Sequence, residues 1–405
     1  MLKEGRKIKK SCIHAMIAGV CIIMFILIHL AQDSSPFKPS AYNTYTLQAL
    51  QWREGKIALD EDVPHLELAI YQGRYYVSFP PVPTVPVFLL TFIFGSNVPD
   101  TLLVQLYALI ACLALYDLFR RRFGTAWAAA LAFFTCFASS LLPLLQNGAV
   151  WYQAQAMAFM LTVLSMALMQ RGKATWSLLA YALSVGCRPF NALYGPMLML
   201  YGLLRQKQSG RRLKQAAVGL MPGIGLGLAV AVAYSLYNTV RFGHPLEFGH
   251  NYLPEFSFQG GTQFSFSHIA RNARIFLLAM PFEQTESGLR FRQFGFSLFL
   301  ANPIFMCFFL WIARDLILGR MTWFKAAVVV TFAIHILLLL SHRTMGGYQY
   351  GARYMVDCIP YVALYLAIPD EGQLPGRVIT TLCSMLLGMG FIMALAGAQA
   401  FRLPA

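Results

Sequence analysis

The sequence predicts an all-α bundle of about twelve membrane-spanning helices, with a large first external loop that contains short interfacial helices. Three observations predict it. Of 405 residues, 58% are hydrophobic and only 12% are charged, whereas soluble domains carry about a quarter charged residues. Apolar runs near the length that crosses lipid recur from one end of the chain to the other. No alternating barrel pattern accompanies them, so backbone polar groups in lipid must be satisfied within helices.

The first run, Cys12–Ala31, is interrupted only by His14 and His29. A basic stretch precedes it (Lys3, Arg6, Lys7, Lys9, Lys10), as in a signal peptide, but no Ala-x-Ala pattern follows, so an uncleaved first helix is expected. Residues 32–81 form a polar loop. Within it Tyr42, Tyr45, Ala49 and Trp52 recur at helical spacing, which predicts a short amphipathic helix with its rings at headgroup depth. The remaining candidate spans are Val82–Phe94, Thr101–Phe119, Ala126–Leu145, Trp151–Met169, Trp176–Cys187, Ala192–Leu204, Ala216–Tyr237, Phe294–Ala313, Ala326–Leu340, Tyr354–Ile368 and Val378–Ala398. Two features disturb a simple count. Two apolar segments separate the first loop from Arg120–Arg122, where passage to the other side needs an odd number of crossings. Either the short Val82–Phe94 does not cross, or Arg120–Arg122 lies outside. Around Arg188-Pro189, two short segments read as one bent helix or as a re-entrant pair.

Charge orients the bundle. The formal charge of +15 needs no nucleic acid, because the basic residues cluster at the ends of apolar segments as the positive-inside rule expects. They gather before the first span, in Arg205–Lys214 and in Arg314–Lys325. The first loop sets Lys38, Arg53, Lys56 and Arg74 against Asp33, Glu54, Asp60, Glu61, Asp62 and Glu67, and is net acidic. The N-terminus is therefore expected on the cytoplasmic side and the loop outside. One integral membrane unit is expected over 1–405, comprising the loop at 32–81, core helices at 82–240, a second external loop at 241–293 and C-terminal helices at 294–405. A third external stretch, Ser341–Arg353, contains His342, Gly346-Gly347, Tyr348 and Tyr350. All eight cysteines fall within apolar segments, which predicts buried thiols and no disulfide framework.

Chemistry-bearing residues concentrate on the external side. Asp60, Glu61, Asp62 and Glu67 are the densest acidic group in the chain. A carboxylate beside a reacting carbon can deprotonate a hydroxyl or hold a divalent metal against a phosphate, although three adjacent acids also suit a solvated turn. Arg353, at the start of a span, and Arg74 are candidate phosphate clamps, since a guanidinium pairs bidentately with phosphate; a snorkelling interface arginine is the plainer reading. Arg188 lies in an apolar stretch, where an unpaired charge is expensive, so it marks either a site or a structural ion pair. Trp151 and Tyr152, at the start of another span, could stack on a sugar or line a lipid groove, or be ordinary interfacial aromatics. His244 and His250 flank Glu247 among Pro and Gly residues, a turn rather than a helical metal motif.

Four segments, in order, resemble one family. Gly73-Arg74-Tyr75-Tyr76-Val77-x-Phe79-Pro80-Pro81 leads into the second apolar segment. Cys187-Arg188-Pro189 follows, then Tyr237-Asn238-x-x-Arg241-Phe242-Gly243-x-Pro245-Leu246-Glu247-Phe248-Gly249, then Gly351-x-Arg353-Tyr354-x-x-Asp357-x-x-Pro360. The set resembles the GT-C superfamily of polytopic glycosyltransferases, and more narrowly its bacterial members with a Tyr-x-Gly-(Lys/Arg)-Tyr-Tyr stretch. The resemblance implies an inverting transfer of a sugar from a polyprenyl-phosphate donor to an acceptor hydroxyl on a glycan, lipid or protein, at the outer face of a plasma membrane. It implies phosphate binding by Arg353, with Arg74 or a divalent metal, and substrate contacts from Tyr75, Tyr76, Arg188 and Glu247; Trp151 and Tyr152 join them as candidate contacts from their own position. Many members carry an acid soon after the first helix, where this chain has only Asp33. The base therefore falls among Asp33, Asp60, Asp62 and Glu67, with Glu67 or Asp60 preferred. The rival readings are a transporter or lipid flippase, which would need inverted repeats and intramembrane acids that the sequence lacks, and an inactive subunit of the same fold.

Overall fold

The structure, a computed structural model, describes residues 10–257, 262–286, 288–368 and 376–402. Lys3, Arg6, Lys7 and Lys9 of the basic N-terminal stretch lie outside the described residues.

Helix α1 (Lys10–Gln32) runs between two faces. At its start Lys10 and His14 pair with Asp117; at its end Gln32 donates to Gln146 and to the Ala398 carbonyl. The first loop builds on that second face. It forms α2 (Thr44–Arg53), then a hairpin of β1 (Leu68–Tyr71) and β2 (Arg74–Val77), then α3 (Thr84–Phe94) packed along α2. The hairpin turns at Gln72-Gly73, both with positive φ (51° and 72°), the mirror-image turn whose twist matches the strands it joins.

α4 (Asp100–Phe119) starts on the loop face, where Asp100 accepts the Ser40 N–H at 3.0 Å, and ends at Asp117 beside Lys10. α3 therefore begins and ends on one face, and Arg120–Arg122 falls on the Lys10 face. The parity conflict disappears because Val82–Phe94 does not cross.

α5 (Thr125–Phe137) and the short α6 (Leu141–Leu144) return to the loop face. α7 (Val150–Gln170) descends from the Tyr42 carbonyl to Arg171, which pairs with Asp117. α8 (Ala174–Val185) climbs back along α7. Twelve residues rise only about 18 Å, less than the roughly 30 Å of a hydrocarbon core. The chain turns through Arg188–Leu193 and descends as α9 (Tyr194–Gln208), where Gly202 meets Met169 near the end of α7. Around Arg188-Pro189 the two segments are separate helices that reverse direction, rather than one bent helix.

α10 (Leu213–Val218) and α11 (Met221–Phe242) carry the chain up to Arg241, which donates to the Val77 carbonyl at 2.7 Å. The second loop contains α12 (Pro254–Ser257), α13 (Ser267–Ala273) continued by a π-helical turn over Arg274–Leu278, and a hairpin of β3 (Phe282–Thr285) and β4 (Gly288–Phe291). After α14 (Leu298–Ala301), α15 (Ile304–Ile317) descends and α16 (Trp323–Leu340) ascends. A 3₁₀ turn over Arg353–Cys358 and α17 (Ile359–Ala367) descend, and α18 (Arg377–Ala400) ends the bundle.

The described chain is mostly helical, and six stretches are long and apolar enough to cross a membrane: α1, α4, α7, α10 with α11, α16 and α18. The expectation of about twelve spans is not matched by long helices; shorter ones complete the bundle. α4, α7 and α17 are buried at its centre, while α1, α11 and α18 turn apolar side chains outward, as lipid-facing helices must. On the Lys10 face Asp315 is buried and satisfied by Lys325 at 2.7 Å, Tyr365 at 2.8 Å and Arg314 at 3.1 Å, which ties α15 to α16 and α17. All eight cysteines are free; seven are buried, but Cys12, expected to be buried, is exposed on α1.

Candidate active site

A cavity of about 760 Å³ opens on the loop face, above the apex of the α8–α9 pair. Each wall has a different chemistry. The 3₁₀ turn supplies Arg353 and Tyr354, the α8–α9 apex supplies Arg188, and the start of α7 supplies Trp151 and Tyr152. The first and second loops supply Glu67, Glu247, His250 and Glu255.

The two arginines differ. Arg188 directs Nε and Nη2 onto Asp357 Oδ2, each at 2.8 Å. Gln155 donates to the other Asp357 oxygen at 3.0 Å and to the Arg353 carbonyl at 2.8 Å, while the Tyr194 hydroxyl donates to the Asp357 carbonyl at 2.6 Å. The charge of Arg188 is thus neutralised in the cavity floor. Arg353 is buried over the Tyr152 and Tyr354 rings, 5.8 and 4.9 Å from their centroids, and its Nε has no hydrogen-bond partner. Among the described residues no carboxylate lies within ion-pair range of it.

Glu67 sits immediately before β1, at φ 52°. Ser78, immediately after β2, donates to its carbonyl at 3.0 Å, so the hairpin clamps the residue at the cavity wall. Burial pushes its carboxyl above the ordinary glutamate range, and the neighbouring Glu255 pushes the same way against the opposing pull of Arg353. Glu247 is committed to its own loop: its two oxygens accept the Gly249 N–H and the Asn251 amide, both at 2.8 Å. His250 donates from Nδ1 to the Ser78 carbonyl at 3.2 Å, and burial lowers its pKa to about 4, so it stays neutral at physiological pH.

The remaining sequence-predicted residues lie elsewhere. Asp60 is exposed and held by Lys56 at 3.0 Å and Gln51 at 2.9 Å, outside the cavity. Asp62 is exposed, and Asp33 and Asp62 do not line the cavity. Arg74 and Tyr75 belong to the hairpin, and Tyr76 packs against Phe242 with ring centroids 5.4 Å apart. The Tyr-x-Gly-Arg-Tyr-Tyr stretch therefore presents Glu67 and Phe79 rather than entering the cavity itself. Sequence reasoning missed Gln155; a glutamine inside an apolar helix is the signal that could have found it. Among the described residues no three His, Cys, Asp or Glu side chains group as a metal site would.

Fold and site together define a polytopic membrane protein with a carboxylate- and arginine-lined cavity roofed by two loops. That fold is shared with glycosyltransferases of the GT-C superfamily. The oligosaccharyltransferase of Archaeoglobus fulgidus in its apo form superposes with a TM-score of 0.52 at 13% identity, over 99% of this chain and 57% of that one. The archaeal oligosaccharyltransferase AglB from the same organism, in complex with an inhibitory peptide and a dolichol-phosphate, gives 0.50 at 13% identity, over 97% and 56%. ArnT from Cupriavidus metallidurans bound to undecaprenyl phosphate gives 0.52 at 13% identity, over 97% and 76%. The chain thus spans little more than half the length of the oligosaccharyltransferase. No protein-family model and no curated protein matches the sequence.

Proposed function

We propose that this chain is an inverting glycosyltransferase that moves a sugar from a polyprenyl phosphate to an acceptor hydroxyl in the loop-face cavity. The observation that carries the reading is the pairing of unlike groups across one cavity. Among the described residues Arg353 is a buried cation with no carboxylate within ion-pair range, and Glu67 is a carboxyl whose affinity for protons is raised. Arg353 holds the departing phosphate, offsetting the negative charge that grows as the bond to the sugar breaks. Glu67 takes the proton from the acceptor hydroxyl, whose oxygen attacks the anomeric carbon from the side opposite the phosphate. The configuration inverts, and polyprenyl phosphate leaves with the bond electrons. Trp151 and Tyr152 line the sugar's position, and Arg188 fixes the floor through Asp357.

The basic Lys10 face lies in the cytoplasm and the cavity opens outside, as charge asymmetry supports. The polyprenyl phosphates bound to the two superposed enzymes support the donor class. Glu67 is preferred to Asp60 and Asp62 as base because it alone of the three lines the cavity. The test is transfer from a panel of radiolabelled polyprenyl-phosphate sugars by reconstituted protein, with Glu67→Gln, Arg353→Ala and Asp60→Asn alongside. Turnover of one donor, lost in the first two variants and kept in the third, is expected. Neither binding nor turnover of any donor by folded protein would overturn the reading and direct attention to transport.

A further inference from the structure

The second loop exposes large apolar side chains that belong to no membrane-crossing helix. Phe266 is 90% exposed, Leu278 74%, Met280 65%, Leu289 68% and Phe294 66%. They run from just before α13, through its π-helical continuation and β4, to just past the β3–β4 hairpin. Between them stand four arginines (Arg271, Arg274, Arg290, Arg292) against two glutamates (Glu283, Glu286). Arg290 and Arg292 share Glu283, at 3.5 and 3.9 Å.

Position fixes what this surface meets. Asn272 on α13 donates to the carbonyls of Leu340, where α16 ends, and of His342, both at 2.8 Å. Phe291 packs on Phe401, just past the end of α18, with centroids 5.9 Å apart. The segment therefore sits level with the ends of α16 and α18, whose apolar side chains (Leu382, Met385, Met389 and Ile392 on α18) also face outward. Bulky apolar groups interspersed with arginines at that depth match the boundary between acyl chains and phosphate headgroups.

We propose that residues 264–286 and 288–294 are a membrane-interface anchor, their apolar side chains inserted into the outer leaflet and their arginines at its phosphates. The anchor also sets the cavity wall. Arg271 donates to the Arg343 carbonyl at 2.6 Å, the Ser265 N–H to the Ser341 carbonyl at 2.9 Å, and the Gln349 N–H to the Gln293 carbonyl at 2.9 Å. These bonds stitch the inserted segment to the loop that leads into Arg353, so the depth of the bilayer surface positions that loop.

The test does not depend on the proposed chemistry. In a Cys12→Ser background, spin labels at Phe266→Cys, Met280→Cys and Leu289→Cys are read in nanodiscs of anionic and zwitterionic lipid, with exposed Glu61→Cys as the aqueous control. Collision with oxygen should exceed collision with a water-soluble nickel chelate at all three sites and not at the control. Collision dominated by nickel would place the segment in water, and low collision with both would mean a protein partner or a second copy covers it; either result overturns the anchor. A Leu278→Asp/Leu289→Asp pair should speed amide exchange across 341–353 while leaving α7 unchanged. Unchanged exchange in that loop would overturn the coupling to the cavity.

Discussion

Arg188 and Asp357 are joined by a guanidinium–carboxylate pair at 2.8 Å in the floor of the cavity, and this pairing is what distinguishes Arg188 from Arg353. Both arginines lie near the same aromatic ring, Tyr354, at 4.8 and 4.9 Å. Among the described residues, only Arg353 has no carboxylate within ion-pair range.

Asp357→Asn should leave Arg188 without its counter-ion, with only about a fifth of the side chain exposed. Breaking a buried pair costs several kcal/mol, and partial solvent access at Arg188 reduces this to roughly 2 kcal/mol. Thermal unfolding in detergent should show it as a lowered midpoint, recovered in part by Arg188→Met/Asp357→Leu. An unshifted midpoint in the single variant would mean the pair is not structural.

Arg353→Ala and Arg353→Lys separate charge from shape. Loss of charge-assisted hydrogen bonds of about 1.5–3 kcal/mol should weaken polyprenyl-phosphate binding roughly 10- to 100-fold in the alanine variant. Lysine keeps the charge but not the two-pronged fit, so it should recover only part of the affinity. Titration of nanodiscs containing the lipid reads both, and equal binding by all three proteins would remove Arg353 from the site.

The acid limb of activity should report Glu67. A base works ionised, and burial with Glu255 nearby raises the pKa of Glu67. Activity is then lost as pH falls, at a higher pH than an ordinary glutamate would give. Glu255→Gln removes one of the two raising influences and should move that limb to lower pH. A pH–rate profile of the Glu255 variant that superposes on wild type would count against Glu67 as base.

Gly351 has φ 61°, and a Cβ there would collide with the Ala301 side chain and press on Ser140 Oγ. Gly351→Ala should therefore displace the strand of chain leading into Arg353. Destabilisation of about 1–3 kcal/mol and a fall in donor binding are expected together. Retained binding at wild-type stability would show that the loop adapts.

Much of the fold was legible because lipid imposes a one-dimensional rule. A segment long and apolar enough to cross must be helical, and basic residues mark its cytoplasmic end. α1, α4, α7, α16 and α18 follow from that rule almost residue by residue. The placement of α3 did not, because apolarity records what surrounds a segment and not whether it crosses. α3 is apolar and lies against α2; α8 is apolar and turns back beneath a cavity.

The sequence alone determined a polytopic helical membrane protein, the first-loop carboxylates and Arg353 as candidates, and the turn around Glu247. Only the tertiary structure decided that Glu67 lines the cavity while Asp60, Asp62, Arg74 and Tyr76 do not, and that Arg188 is paired while Arg353 is free to meet a ligand. The physical reason is that local pattern fixes secondary structure, whereas the charge state and reach of a side chain depend on partners far away in sequence. Arg188 meets Asp357 across 169 positions, a separation that no local periodicity can encode.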